Sequence, residues 1–247
     1  PYGVAFRESR DSERHPDSKP LLKFFDVTGS MRGIPVVLQR KLPVLPETLK
    51  LSGVSGSHVL FGAVGDGRCD TAPLQVGQFE SGAEMDDDIN RIYLEGGGGF
   101  NGGESYGLAF YWAARHTVHD RWDKRRRKGY LFLTCDERPH PVVTGAEILR
   151  FVGDDVADMP IEAVVRETLE RYHVFVLHVH SPEGEAQGSL AEWRRLLPEG
   201  VVQLEDPAAV CETTATIVAR MEGVDAGRVS ESLLATGAAA ESVRTAA

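Results

Sequence analysis

Residues Phe24 to Met31 read Phe-Phe-Asp-Val-Thr-Gly-Ser-Met, with oxygen donors at alternate positions: Asp26, Thr28 and Ser30. One carboxylate and two hydroxyls form a set of hard donors, which suits Mg²⁺, Mn²⁺ or Ca²⁺ and not zinc or copper. The apolar residues Leu21, Leu22, Phe24 and Phe25 predict a buried strand that ends at Asp26. Gly29 lets the backbone turn tightly directly afterwards. Open α/β sheets gather their ligands at the carboxyl ends of their strands, so the spacing predicts a metal-ion site. The competing reading is a plain helix cap, because hydroxyl side chains also satisfy orphan N–H groups.

Two later segments bear on that choice. Between Glu95 and Ala114, a run of four glycines leads into a helical pattern with Tyr106, Phe110 and Ala114 a turn apart. A glycine-rich loop that opens a helix brings backbone N–H groups close to a ligand. Between Gly129 and His140, a second short apolar strand ends in an aspartate, Asp136. A strand-end aspartate alone is more often a helix N-cap.

Taken in order, the three segments resemble the von Willebrand factor A domain. Asp26-x-Thr28-x-Ser30 is similar to its first motif, Asp-x-Ser-x-Ser, with Thr28 for the first serine. The glycine run resembles the Gly-Gly-Gly-x-x-Pro-Glu-x segment of a bacterial A-domain subgroup. Gly103-Glu104 stands where Pro-Glu would be, and the subgroup's usual threonine is absent. Leu131 to His140 resembles the strand that reads apolar-apolar-x-Thr-Asp-x-x-Pro-His. The resemblance covers about residues 21 to 140. It implies a Rossmann-like, doubly wound α/β fold with a mainly parallel six-stranded sheet flanked by helices. It also implies a metal-ion-dependent adhesion site (MIDAS) holding Mg²⁺, or Mn²⁺ or Ca²⁺. The ligands would be Asp26, Thr28, Ser30, a group near Asn101, and Asp136 directly or through water. Asp66 and Glu104 would stand just behind them. One metal position would stay open for an Asp or Glu carboxylate of a protein partner, and domains of this kind often work beside an AAA+ ATPase or another protein of the same operon.

Asp26-Val-Thr-Gly-Ser30 also resembles Asp-Lys-Thr-Gly-Thr, the phosphorylated loop of haloacid-dehalogenase-like enzymes, and Gly65-Asp66-Gly67 echoes their later metal motif. Asp26 would then be a nucleophile passing through an aspartyl phosphate. Too few residues separate Ser30 from Gly65 for the elements that such chemistry requires. The glycine run and Asp136 would be left without a role.

Composition narrows the class further. The chain has 247 residues, is 42% hydrophobic and carries a formal charge of −10. That balance argues against a general nucleic-acid binder, and no apolar run approaches a membrane span. The run Lys124 to Lys128 is the basic exception and is expected to be a solvated loop between a helix and a strand. Cys69, Cys135 and Cys211 show no paired spacing, which points to reduced thiols and a cytoplasmic setting.

Alternating patterns predict strands near 21–27, 57–65, 74–80, 129–135, 173–179 and 200–204. Helices are expected near 32–51, 84–94, 102–119, 144–151, 160–171, 188–197 and 206–222, with Pro43 and Pro46 kinking or splitting the first. Residues 1–20 read as a polar arm, 21–222 as the domain, and 223–247 as an Ala-rich tail or last helix. His178 and His180 share one strand face without a third soft ligand, which argues against zinc, although His180 ends its strand near the metal edge. Asp86, Asp87 and Asp88 lack calcium-loop spacing and suit a helix start.

Overall fold

The computed structural model describes residues 1–82, 84–97 and 102–235. Among them the strands, in chain order, are β1 (Arg7–Ser9), β2 (Lys19–Asp26), β3 (Ser57–Val64), β4 (Leu74–Val76), β5 (Thr117–His119), β6 (Gly129–Cys135), β7 (Val142–Val143), β8 (Met159–Pro160), β9 (Tyr172–His178) and β10 (Val201–Gln203). The helices are α1 (Ile34–Lys41), α2 (Leu45–Leu51), α3 (Glu84–Asn90), α4 (Tyr106–Arg115), α5 (Asp120–Asp123), α6 (Gly145–Phe151), α7 (Ile161–Arg171), α8 (Pro182–Gln187), α9 (Ser189–Leu196), α10 (Val210–Met221) and α11 (Ala226–Ala235). Six strands form one sheet in the order β10-β9-β6-β2-β3-β4, parallel throughout except for the antiparallel edge strand β4. The expected doubly wound α/β architecture is therefore present.

The two central strands are buried on both faces, which is why they read as near-continuous apolar runs. Leu21 and Phe25 of β2 enter a core shared with α1, α2, α3, α10 and α11. Leu22 and Phe24 enter the opposite core, which is built with α4, α6, α7 and α9. From β2 the chain first adds β3 on one side, then returns through α4 to lay β6 on the other. The strand order thus reverses between β2 and β6, where an open α/β sheet leaves a crevice at its carboxyl edge. Asp26 closes β2, and Asp136 follows directly on β6.

Local chemistry sets the helix ends. Pro43 and Pro46 divide the expected 32–51 helix into α1, a single 3₁₀ turn and α2. Thr144 and Glu147 form a reciprocal capping box at the start of α6. Ser181 caps α8 by accepting from the Gly184 N–H (2.9 Å), and Pro182 occupies its first turn. This short helix is absent from the sequence reading, although a Ser-Pro pair is a recognised start signal. Within the Ala-rich 223–247 stretch a last helix forms from Ala226 to Ala235, and residues 236–247 lie outside the described residues.

The first twenty residues do not stand apart as an arm. Lys19 and Pro20 already belong to β2, and β1 pairs in parallel with β5. Asp11 accepts both terminal nitrogens of Arg125 (2.8 and 3.0 Å), and Lys124 bridges to Asp120 at 2.7 Å. Arg127 reaches Glu222 at 3.2 Å. The basic run is the expected exposed loop, here between α5 and β6, and much of its charge is met by the chain's own acids.

Candidate metal centre

The site grows out of the end of β2. Asp26 is fully buried. Its Oδ1 accepts from the Thr28 N–H (2.7 Å) and the Thr28 hydroxyl (2.6 Å), folding the next two residues back over the carboxylate. Its Oδ2 accepts from the Tyr106 hydroxyl, which leads the first turn of α4. Thr28 Oγ1 lies 3.2 Å from Ser30 Oγ, and the Ser30 hydroxyl donates to Asp136 Oδ1 at 3.2 Å. A continuous chain of oxygens therefore crosses the crevice from Asp26 to Asp136. Gly29 makes the close turn possible, because a Cβ at this position would lie 2.9 Å from the Gly97 carbonyl oxygen.

Glu104 joins from the opposite wall. Gly102 and Gly103 precede it with φ of +80° and +151°, a region that side chains disfavour. A Cβ on Gly103 would come within 3.1 Å of the Arg138 carbonyl oxygen and of the His140 ring. Glu104 is 2% exposed. A cavity of about 580 Å³ opens over the site, bordered among the described residues by Ser30, Glu104, Glu137, Glu183, Gln187 and glycines including Gly29 and Gly97. None of its described lining residues is basic.

The electrostatics follow from this burial. Asp26 is pushed up to about 8 by burial and then by the facing Asp136 charge. Glu104 is pushed up to about 11 by burial, with the charges of Asp26 and Glu137 adding to it. Burial also raises Asp136. Among the described residues Asp136 Oδ2 and Glu104 Oε2 are buried without a hydrogen-bond partner. Buried acids with orphaned oxygens are costly unless a cation compensates them. This donor set fits a hard divalent ion: carboxylate and hydroxyl oxygens, with no described histidine or thiol bordering the cavity. No group of three or more His, Cys, Asp or Glu side chains converges into a ready metal cluster among the described residues. Asp26 turns its oxygens to Thr28 and Tyr106 instead, and two of the donors here are hydroxyls.

Asp26, Thr28, Ser30 and Asp136 are thus brought together from two strand ends. Asn101, the expected third contact, lies outside the described residues. Asp66 is buried one layer back, where its Oδ1 meets His140 Nε2 (3.2 Å), the Ser105 hydroxyl (3.3 Å) and the Arg68 N–H (3.1 Å). His178 is engaged by Ser189 at 2.9 Å, and His180 borders a different cavity together with Arg194. His180 is not among the described residues bordering the crevice cavity, although Glu183 and Gln187 just after it are. Asp87 and Asp88 lie within α3, and Asp88 accepts from the Gln78 N–H (2.9 Å). Tyr106, Glu137 and Glu183 escaped the sequence reading. Tyr106 carries the helical periodicity of a core residue, and only its hydroxyl reveals the second role.

Comparison of the sequence with family models and with curated proteins returns no match. Solved structures do match. The pilus adhesin SpaC from Lactobacillus rhamnosus GG superposes with a TM-score of 0.60 at 10% identity, covering 85% of this chain and 31% of the adhesin. Proximal thread matrix protein 1 from the mussel byssus gives 0.52 at 10% identity over 82% of this chain and 47% of the mussel protein. A further structure of the mussel protein, described with a zinc-occupied MIDAS motif, gives 0.50 at 12% identity over the same shares. The chain spans about a third to a half of these proteins' lengths. What it shares with these adhesion and matrix proteins is the α/β fold.

Proposed function

We propose that the chain is a metal-dependent interaction module. In this reading Asp26, Thr28, Ser30 and Asp136 hold Mg²⁺, with Mn²⁺ or Ca²⁺ as alternatives, at the crest of the β2–β6 crevice. The bound cation supplies a concentrated positive charge on an otherwise acidic surface, and so attracts an Asp or Glu carboxylate of a protein partner. The observation that carries the reading is the oxygen chain from Asp26 to Asp136, buried beside orphaned carboxylate oxygens. The A-domain resemblance adds the proposal that the partner belongs to a multiprotein bacterial system in the cytoplasm, such as one containing an AAA+ ATPase. The aspartyl-phosphate reading is disfavoured because a cavity lined by Glu104, Glu137 and Glu183 would repel a phosphate.

Calorimetry with Mg²⁺ and Mn²⁺, paired with thermal melts, tests this. A cation that binds only the folded state is expected to raise the melting temperature, and Asp26→Ala is expected to abolish that shift while the metal-free variant stays folded. Asp26 retains its proton up to about pH 8 in the metal-free protein. Binding at pH 7 should therefore release protons, and affinity should strengthen as pH rises towards 8. Absence of any heat or shift at millimolar metal, in the presence of an acidic peptide as well as in its absence, would refute the reading.

A further inference from the structure

Glu104 is tied to the segment that leaves Asp136. Its N–H donates to the Arg138 carbonyl (3.0 Å), and its carbonyl accepts from the His140 N–H (2.9 Å). On the other side the Ser105 N–H donates to the Gly65 carbonyl (3.2 Å), and Tyr106 reaches Asp26. The Glu104 main chain is thus clamped to the segment after β6, while the two residues that follow it tie the same loop to the ends of β3 and β2. Its side chain is 2% exposed yet borders the cavity beside Gly29 and Ser30, and Oε2 has no partner among the described residues. The neighbouring Glu137 differs, because its Oε2 already accepts from Gln187 Nε2 at 2.6 Å. An acid held this firmly and this deeply, with an unpartnered oxygen among the described residues and a side chain bordering the cavity beside Ser30, is suited to bind a cation there, and the hydrogen bonds around it otherwise leave it uncompensated.

Resting on the reading of this crevice as a divalent-cation centre, we infer that the Glu104 carboxylate is itself a ligand of the cation, and that in the free protein it holds the position which a partner's acid takes on binding. Glu104 then adds its carboxylate to the acids already gathered in the crevice, so that the ion's charge is met from within the chain. A second acid must displace Glu104 rather than add to it. The site is self-occluded, and partner affinity is set by competition between an internal glutamate and an external one.

The full chain and its E104Q and E137Q variants are titrated with Mn²⁺ alone, and water-proton relaxation is read at saturating Mn²⁺. E104Q should weaken Mn²⁺ binding by roughly tenfold or more, whereas E137Q should change it by less than about threefold. The ion in E104Q should carry one additional fast-exchanging water. Acetate, added as the simplest external carboxylate, should remove that relaxation at lower concentration in E104Q than in wild type. The metal-free E104Q protein should melt no lower than wild type, since the change removes a buried acid. If wild type binds no Mn²⁺, the metal reading itself fails. If wild type binds and E104Q binds equally well with the same water count, the metal reading stands and the Glu104 inference falls. Weaker metal binding without easier acetate entry would overturn the competition.

Discussion

Lys23 shows at the residue scale how the same strand treats a buried positive charge. It sits three positions before Asp26 with no exposed surface; its Nζ donates to Thr134 Oγ1 at 2.8 Å and lies 5.5 Å from the centre of the Phe132 ring. Burial lowers it to about 7, with the flanking Cys211 and Cys135 opposing the shift. A lysine with a depressed folded value loses its proton more easily on folding. Its unfavourable contribution is complete below about pH 7 and fades as pH climbs towards the ordinary lysine value of about 10.4. Lys23→Met is therefore expected to raise the unfolding free energy by a few kcal/mol at about pH 6, with the gain shrinking towards pH 10 in urea titrations. A gain that does not depend on pH would assign the effect to packing alone. In the sequence Lys23 is hidden inside an apolar run, and nothing there says that its neighbours are Thr134 and Cys211. Asp26 and Asp136 were legible for the opposite reason: each terminates such a run, and a charge at a strand end has a site to serve.

At the scale of elements, the site depends on how tightly the segment before α4 is drawn against the segment after β6. Gly103 is the pivot, at φ +151° and with the Arg138 carbonyl and the His140 ring against the place a Cβ would fill. Gly103→Ala is expected to cost about 1–3 kcal/mol of stability and to weaken Mn²⁺ binding, because Glu104 and Tyr106 would shift together. Denaturant unfolding and calorimetry would read the two effects, and a variant that loses stability while keeping full metal affinity would uncouple the loop from the site. The glycine run announced a close backbone approach, but its sequence could not say to what. Its described part, Gly96 and Gly97, proved to lie against the turn after Asp26, where the Gly96 N–H donates to the Val27 carbonyl (3.0 Å), while Glu104 further on pairs with residues 138–140. The brief α8 was missed for a related reason: six residues are too few for a helical period to emerge, and only its cap betrays it.

For the whole molecule, most of the sheet could be read in advance, because a strand covered on both faces must be apolar throughout and its ends are punctuated by glycine, aspartate and proline. The six expected strands all form, and β4 is the one that is markedly shorter than its pattern, stopping at Val76. The pairing of the first eighteen residues with the region after α4 was not legible. Charges such as Asp11 and Arg125 carry no mark of each other until the fold has joined them. Asp11→Ala should release this strap without touching the crevice. Hydrogen exchange at Arg7 to Ser9 is expected to quicken and trypsin to cut sooner at Arg10, while Mn²⁺ affinity stays within about twofold and global stability falls by about 1 kcal/mol or less. Loss of metal affinity in that variant would show that the strap and the site are coupled.

The two borders of the sheet have a consequence for what can bind. β4 and β10 are each three residues long, so a visiting peptide that tried to extend the sheet would find only a short run of backbone to pair with. That route of recognition, in which affinity comes from main-chain hydrogen bonding and tolerates many sequences, is closed at both ends. The proposed function places contact end-on instead, against side chains at the crest, where a single misplaced group decides the outcome. Under the proposed function, a domain shaped in this way trades breadth for selectivity: it reads one chemical feature of a partner and ignores the remainder of that partner's chain.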